Sequence, residues 1–201
     1  MHSFPINLLA RTIGALISLL SVLGSEAQRS EFHIYKGGEK VGNILVGRSE
    51  AGEQVRYTMD SYSEFSLIWT QEVRTRVVTE YLRGSIDHCY SSIKVNGSIR
   101  DSSYMRSSNT DNDCYVHPDR PAECGPATDW STARMYFEEP VGTRSIYVES
   151  VLKDCPLENS GPGRYTLTFP NDVQNHYVYR NGVLHEIQVI RPLFDLVFRR
   201  A

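Results

Sequence analysis

The feature that most constrains this chain is alternation of period two. In Glu72 to Arg83 the apolar residues Val73, Val77 and Tyr81 fall at odd positions, while the charged Glu72, Arg74, Arg76 and Glu80 fall at even ones. Tyr165, Leu167 and Phe169 alternate with Arg164, Thr166 and Thr168, and Val55, Tyr57 and Met59 alternate with Arg56, Thr58 and Asp60. Successive side chains of a strand point to opposite faces, so this pattern specifies strands with one dry and one wet face. Antiparallel sheets are built from such strands. Sustained helical periodicity hardly occurs.

Turn chemistry spaces the strands. Gly37-Gly38, the Gly52 turn within Glu50 to Glu53, Asn96-Gly97, Asn171-Asp172 and Asn181-Gly182 each follow a β-prone run. Asn-Gly tolerates the positive φ that a type I′ turn needs at both positions, which makes it the strongest short hairpin signal. The same hairpin role accounts for Asn96-Gly97-Ser98, which also matches a glycosylation acceptor. An all-β fold is expected: about nine or ten strands joined mainly as a strongly curved antiparallel meander, a half-barrel or incomplete barrel, with at most one or two short helices. Residues 108–132 interrupt the meander with Asp, Asn, Pro and Gly. They predict a long excursion with a short strand at Tyr115-Val116 and a helical turn or two from near Asp129.

Residues 1–27 read as a secretory signal. Arg11 leads an apolar core from Ile13 to Leu23, and Ser25-Glu26-Ala27 places small residues three and one positions before a cut after Ala27. That core is far shorter than the roughly 20 residues needed to cross a bilayer. No later segment is apolar enough to cross, so no transmembrane span is expected after cleavage. Residues 28–201 then suffice for a single β-rich exported domain with its own core. The 21 basic and 24 acidic residues give a net charge of −3, and the leader removes one of each sign. Such a balance leaves no electrostatic footprint for nucleic acid.

The four cysteines, Cys89, Cys114, Cys124 and Cys155, suit an oxidising compartment and allow three pairings. If strands around 86–94, 98–107 and 113–117 are consecutive neighbours, Cys89 and Cys114 lie two strand spacings apart. That is roughly 9.5 Å, beyond disulfide reach. The preferred pairs are therefore Cys114 with Cys124, closing a short proline-rich loop, and Cys89 with Cys155 if that one forms. No Cys-x-x-Cys spacing occurs and the six histidines are scattered, so no metal or cofactor is expected.

Motifs that resemble catalytic or ligating sequences fail on their own requirements. Glu138 and Glu139 stand behind the apolar Met135-Tyr136-Phe137 and before Pro140. Neighbouring side chains diverge in a strand and in a helix, so the two carboxylates do not converge on one bond, as a glycosidase pair must. Met135, Tyr136 and Phe137 are read as core packing, with the glutamates facing solvent or a basic partner. Asn109, Asp111 and Asp113 imitate the start of a calcium loop, but its sixth position is Cys114 and its twelfth Arg120. Gly47-Arg48-Ser49-Glu50-Ala51-Gly52 has Ala51 where a nucleophile elbow needs glycine. A two-residue turn at Asn181-Gly182 would set His185 opposite Val178 and leave His176 diagonal, and two ligands do not make a zinc site.

Aromatics are the softer clue. Tyr177 and Tyr179 share a face of the late hairpin, and Tyr136, Trp69, Trp130 and several phenylalanines are spread along the chain. They could line a concave cavity, and core packing accounts for the same residues. The ligand-binding candidates are Tyr136, Tyr177, Tyr179 and Trp69, and no catalytic residue is assigned.

Three blocks carry a resemblance. Phe32-His33-Ile34-Tyr35-Lys36 continues through Val41-Gly42-Asn43-Ile44; Met135-Tyr136-Phe137-Glu138-Glu139-Pro140 follows; Tyr165-Thr166-Leu167-Thr168-Phe169-Pro170 leads to His176-Tyr177-Val178-Tyr179-Arg180-Asn181-Gly182-Val183. In this order they resemble the domain-of-unknown-function 6134 family of exported proteins, seen mostly in Bacteroidota. The resemblance implies an exported β-rich domain, periplasmic or secreted, in a Gram-negative bacterium, and supplies no activity, cofactor or catalytic residue. The excursion 109–127 is longer than the family pattern. Other exported bent-sheet families suggest apolar cargo by analogy. The leading expectation is therefore a non-enzymatic scaffold for an apolar or amphipathic, lipid-like ligand. Its rivals are a structural or partner-binding module of the cell envelope without a small ligand, and a hydrolase using Glu138 or Glu139 with a histidine.

Overall fold

The computed structural model describes residues 27–66, 69–108, 112–118, 120–125, 129–191 and 194–201. The expected leader, apart from Ala27, lies outside them, as do Asn109 and Asp111 of the calcium-like turn.

Among the described residues one antiparallel sheet of fourteen strands makes up the fold, and it does not close into a barrel. The first eight strands are β1 (Gln28–Lys36), β2 (Glu39–Ala51), β3 (Gln54–Ser66), β4 (Thr70–Leu82), β5 (Ser85–Val95), β6 (Ser98–Arg106), β7 (Asp113–Val116) and β8 (Arg120–Pro121). A 3-10 turn at Arg134–Tyr136 follows. The chain then runs through β9 (Ser145–Val148), β10 (Lys153–Gly161), β11 (Arg164–Thr168), β12 (Gln174–Arg180), β13 (Val183–Val189) and β14 (Leu196–Arg200).

The spatial order is β8-β7-β6-β5-β4-β3-β2-β1-β14-β13-β12-β11-β10-β9. The first and last strands thus pair in the middle of the sheet, with Phe32 opposite Arg200 and Ile34 opposite Phe198. The two edges, β8 and β9, are consecutive in sequence. The connection between them spans residues 122–144, and within it Ala133, Met135 and Tyr136 are buried against inward-facing residues of the sheet.

Alternation holds as the sequence predicts. Phe32 and Ile34, Ile44 and Val46, Tyr165 and Leu167, and Tyr177 and Tyr179 all point inward and are buried, and the intervening His33, Leu45, Thr166 and Val178 lie on the other, more exposed face. Register shifts at Ile34/Tyr35, Glu80/Tyr81, Ile93/Lys94 and Val178/Tyr179 mark bulges, which add twist and help a wide sheet to coil. Gly42 lies where β2 comes closest to β3. A Cβ there would collide with the backbone oxygen of Tyr62 and sit 2.7 Å from Ser63 Cα, so only glycine permits this approach.

The expected turns at 37–38, 52–53, 96–97, 171–172 and 181–182 each connect or closely flank strands, and the short strand at Tyr115-Val116 is part of β7. Fourteen strands exceed the expected nine or ten, in part because β8 and β9, of two and four residues, are too short to show a period, and because a proline interrupts β10. β10 contains Pro156 and Asp154, and all but one residue of β9 is buried. Their strand state comes from antiparallel pairing with sequence neighbours, β8 with β7, β9 with β10, and β10 also with β11.

Cys114 and Cys124 form a disulfide with Cα atoms 6.2 Å apart. Cys89 and Cys114 are separated by Met105 on the intervening strand, as the spacing argument requires. Cys89 and Cys155, the second expected pair, are a correction: both are free thiols. Cys89 packs with Met105, Tyr147 and Cys114, whereas Cys155 packs in the other cluster with Ile146 and Leu157, so each side chain is buried among different neighbours.

Candidate functional site

The concave side of the sheet is where an apolar guest would lie, and the protein fills it with its own residues. Thr132 N–H donates to Tyr147 O at 3.2 Å and Tyr147 N–H donates to Trp130 O at 2.9 Å, laying residues 130–132 parallel to β9. The chain then tightens into the 3-10 turn, closed by Phe137 N–H to Arg134 O at 2.9 Å and Glu138 N–H to the same oxygen at 3.1 Å. Pro140 ends the segment, since it has no N–H to continue the turn. Met135 is fully buried and Tyr136 is 7% exposed, both against the inward residues of β1, β2, β11, β12 and β13. Ala133 packs on the opposite arm with Tyr57, Val77 and Tyr81. The segment is a plug held between two halves of the sheet.

Polar ties lock it on both sides. Tyr57 of β3 donates its hydroxyl to Glu138 Oε1 at 2.7 Å, and Arg134 grips Oε2 of the same carboxylate through Nε at 3.0 Å and Nη2 at 2.6 Å. Arg134 also donates to Asp129 O at 2.6 Å and lies 4.3 Å from the Trp130 ring centroid. On the other arm Tyr165 of β11 donates to Glu139 Oε1 at 2.9 Å, and Tyr179 of β12 donates to Met135 O at 2.6 Å. Burial opposes the charged form of Glu138, but the bonds from Arg134 and Tyr57 outweigh it and hold the carboxyl below its usual range. Burial, with the bond to Glu138 adding to it, pushes the Tyr57 phenol up to about 12. Burial and the bond to Glu139 do the same for Tyr165, also to about 12.

A third tie has no signature in any motif. Glu149 is 1% exposed. Thr79 Oγ1 donates to its Oε1 at 2.7 Å, Ala133 N–H donates to the same oxygen at 3.1 Å, and Thr132 Oγ1 donates to Oε2. Ser103 Oγ donates to the Glu149 backbone oxygen at 2.6 Å. Through its carboxylate Glu149 joins β4 and the plug, and through its backbone oxygen β6, to the end of β9. A glutamate directly after the apolar run Ile146-Tyr147-Val148 was the available clue, because a charge in a buried strand needs a built set of donors.

The candidates from sequence divide. Tyr136, Tyr177 and Tyr179 come together, the last two each 4% exposed, with Phe32–Tyr136 and Tyr165–Tyr179 ring pairs at 5.3 and 5.7 Å. They pack around the plug, and Tyr136 also borders a surface groove with Phe137, Val183 and Arg200. Trp69 is not with them: it sits 63% exposed at the far end of the β3–β4 hairpin. Glu138 and Glu139 point to opposite arms and are each committed to a tyrosine, and no histidine joins them among the described contacts. His176 meets Thr166 Oγ1 at 3.0 Å and lies opposite Gln188, because the bulge after Val178 shifts the expected hairpin register by one. Among the described residues no three His, Cys, Asp or Glu side chains converge as a metal site. Nor, among them, is any helix long and apolar enough to cross a membrane.

Fold and site together define a plugged half-barrel: a curled antiparallel sheet whose inner face is closed by the connection between its own edges. The chain belongs to the DUF6134 family, a domain of unknown function, whose model matches residues 32–201. The comparison with curated proteins yields no match. Among solved structures it is similar to a β-barrel-like protein of the domain of unknown function DUF1849 from Brucella abortus. That similarity has a TM-score of 0.54 and 6% identity, over 86% of this chain and 95% of the other. At that identity the likeness concerns the fold.

Proposed function

We propose that this protein is an exported, non-enzymatic binding module of a Gram-negative cell envelope that works through its outer surface and carries no apolar cargo inside. The observation that carries this reading is the plug: Met135 and Tyr136 fill the concavity, and Glu138, Glu139 and Glu149 tie the segment to both arms. A lipid-like guest would have to displace a buried methionine and tyrosine and break these charge-assisted bonds, each worth about 1.5–3 kcal/mol. Export is supported by the apolar leader and by the Cys114–Cys124 bridge, which suits an oxidising compartment. The commitment of Glu138 and Glu139 to structural tyrosines argues against the hydrolase alternative.

Native mass spectrometry of protein purified from its own envelope tests the proposal. The bare polypeptide mass, less the leader, is expected. A reproducible added mass that leaves on organic extraction would overturn it in favour of a carrier with a movable plug.

A further inference from the structure

The outer face of β5–β7 carries a feature that neither the core nor the plug uses. Tyr90, Tyr104 and Tyr115 occupy directly paired positions on three adjacent strands, Tyr90 opposite Tyr104 and Tyr104 opposite Tyr115. Their chain neighbours Cys89, Ser91, Ser103, Met105 and Cys114 are buried on the inner side, so the three rings face outward. Tyr90 and Tyr104 are half-buried and Tyr115 is 43% exposed, with the Tyr104 and Tyr115 centroids 6.4 Å apart. The row crosses the strands and spans two strand spacings, roughly 9.5 Å.

Polar rows flank it on both sides. Arg76, Ser92 and Ser102 form one, and Glu80, His88, Arg106 and Asp113 the other, each in cross-strand register. Beside Tyr90 the face dips into a groove of about 370 Å³ walled by Tyr62, Arg74, Arg76 and Lys94, with Ser92 in its lining. The groove's charges are mostly answered within the face: Arg76 meets Asp60 at 3.2 Å and Arg74 meets Glu72 at 2.7 Å. Of the groove's cations, Lys94 alone remains outside these pairs.

We infer that this face binds a neutral linear glycan, an inference that rests on the surface-binding reading above. The negative faces of aromatic rings attract the polarised C–H groups of a sugar, and rings on adjacent strands, 6.4 Å apart for Tyr104 and Tyr115, are spaced on the scale of one sugar residue. The flanking guanidinium, carboxylate and hydroxyl groups are directional donors and acceptors for sugar hydroxyls. Because the ion pairs leave little net charge, the face suits an uncharged polyhydroxylated chain better than a polyanion or an anionic lipid surface.

The test is titration calorimetry of the full mature chain with cellohexaose, chitohexaose and maltohexaose. Saturable binding to at least one is expected, unchanged as salt is raised, because no net charge is neutralised. Tyr115→Ala, at an exposed position, should weaken it roughly three- to tenfold, and Tyr115→Phe should retain it. Absence of saturable binding to all three, loss of binding in salt, or equal affinity in Tyr115→Ala would each overturn the inference. A bare native mass together with no glycan binding would sink this inference alone. An extractable apolar mass would sink the surface-binding reading instead.

Discussion

Glu138 and Glu139 are consecutive in the chain, yet their carboxylates are held by tyrosines from opposite arms of the sheet, Tyr57 at 2.7 Å and Tyr165 at 2.9 Å. Divergence of neighbouring side chains, which prevents the pair from acting on one bond, is what lets a single dipeptide fasten the plug in two directions.

The Tyr57–Glu138 bond should show as coupled energy. Tyr57→Phe removes one charge-assisted donor and is expected to cost about 1–2 kcal/mol, and Glu138→Gln, which also weakens the Arg134 grip, somewhat more. Chemical denaturation of both singles and the double variant should give a coupling above about 0.5 kcal/mol. Strict additivity would mean the plug is not fastened there.

The phenols also set an alkaline limit. Tyr57, Tyr165 and Tyr177 are each raised to about 12, against an ordinary value of 10.0, with burial the leading cause. Above pH 10 the unfolded chain releases these protons first, so the folded state binds more of them and stability falls as pH rises towards 12. Glu138 works in the other direction at low pH. Its folded value is depressed, so its contribution is present above the unfolded carboxylate range and disappears as pH falls through the folded one. Denaturation midpoints against pH should plateau near neutrality and decline at both ends. Phenolate absorbance should rise together with unfolding in alkali, and smooth titration of all twelve tyrosines near their ordinary value would contradict the burial assigned to them.

The single disulfide should be separable from the free thiols. Cys114 and Cys124 are 10 positions apart, and closing so short a loop is worth about 2–3 kcal/mol through the unfolded chain. Non-reducing digestion should yield those two in one bridged peptide, and Cys114→Ser with Cys124→Ser should lower stability by that amount. Burial raises both remaining thiols, Cys155 to about 11, so alkylation of Cys89 and Cys155 should wait for denaturant. A Cys89–Cys155 peptide in that digest would contradict the two free thiols.

What the sequence disclosed was local. Asn96-Gly97 and Asn181-Gly182 declare their turns because the conformation depends on the two residues themselves, and Val73, Val77 and Tyr81 declare a face through spacing alone. Met135, Tyr136 and Phe137 were legible as core residues. That they fill the concavity was not, because it depends on β8 and β9 being the two edges of the sheet, a property of pairings between β1 and β14. The partners of Glu138 and Glu139 lie 81 and 26 positions away, and no period or motif connects them. The tyrosine row was hidden for the same reason: Tyr90, Tyr104 and Tyr115 align only once three strands are in register.

Glu149 supplies the sharpest test of the interior. Its carboxylate is buried and satisfied by Thr79, Thr132 and the Ala133 N–H, so removing it leaves three donors facing an apolar gap. Glu149→Ala adds the cost of stranded donors to that of a cavity, and about 3–5 kcal/mol of destabilisation is expected. Glu149→Gln keeps the shape and one acceptor oxygen for Thr79 and Ala133. The Thr132 hydroxyl can rotate to accept from the new amide, so the loss should stay near 1–2 kcal/mol. Thermal melts should therefore rank wild type above Gln and Gln well above Ala. If Ala and Gln proved equally mild, the carboxylate would not be what joins the plug to β4, and the interior would have room to open.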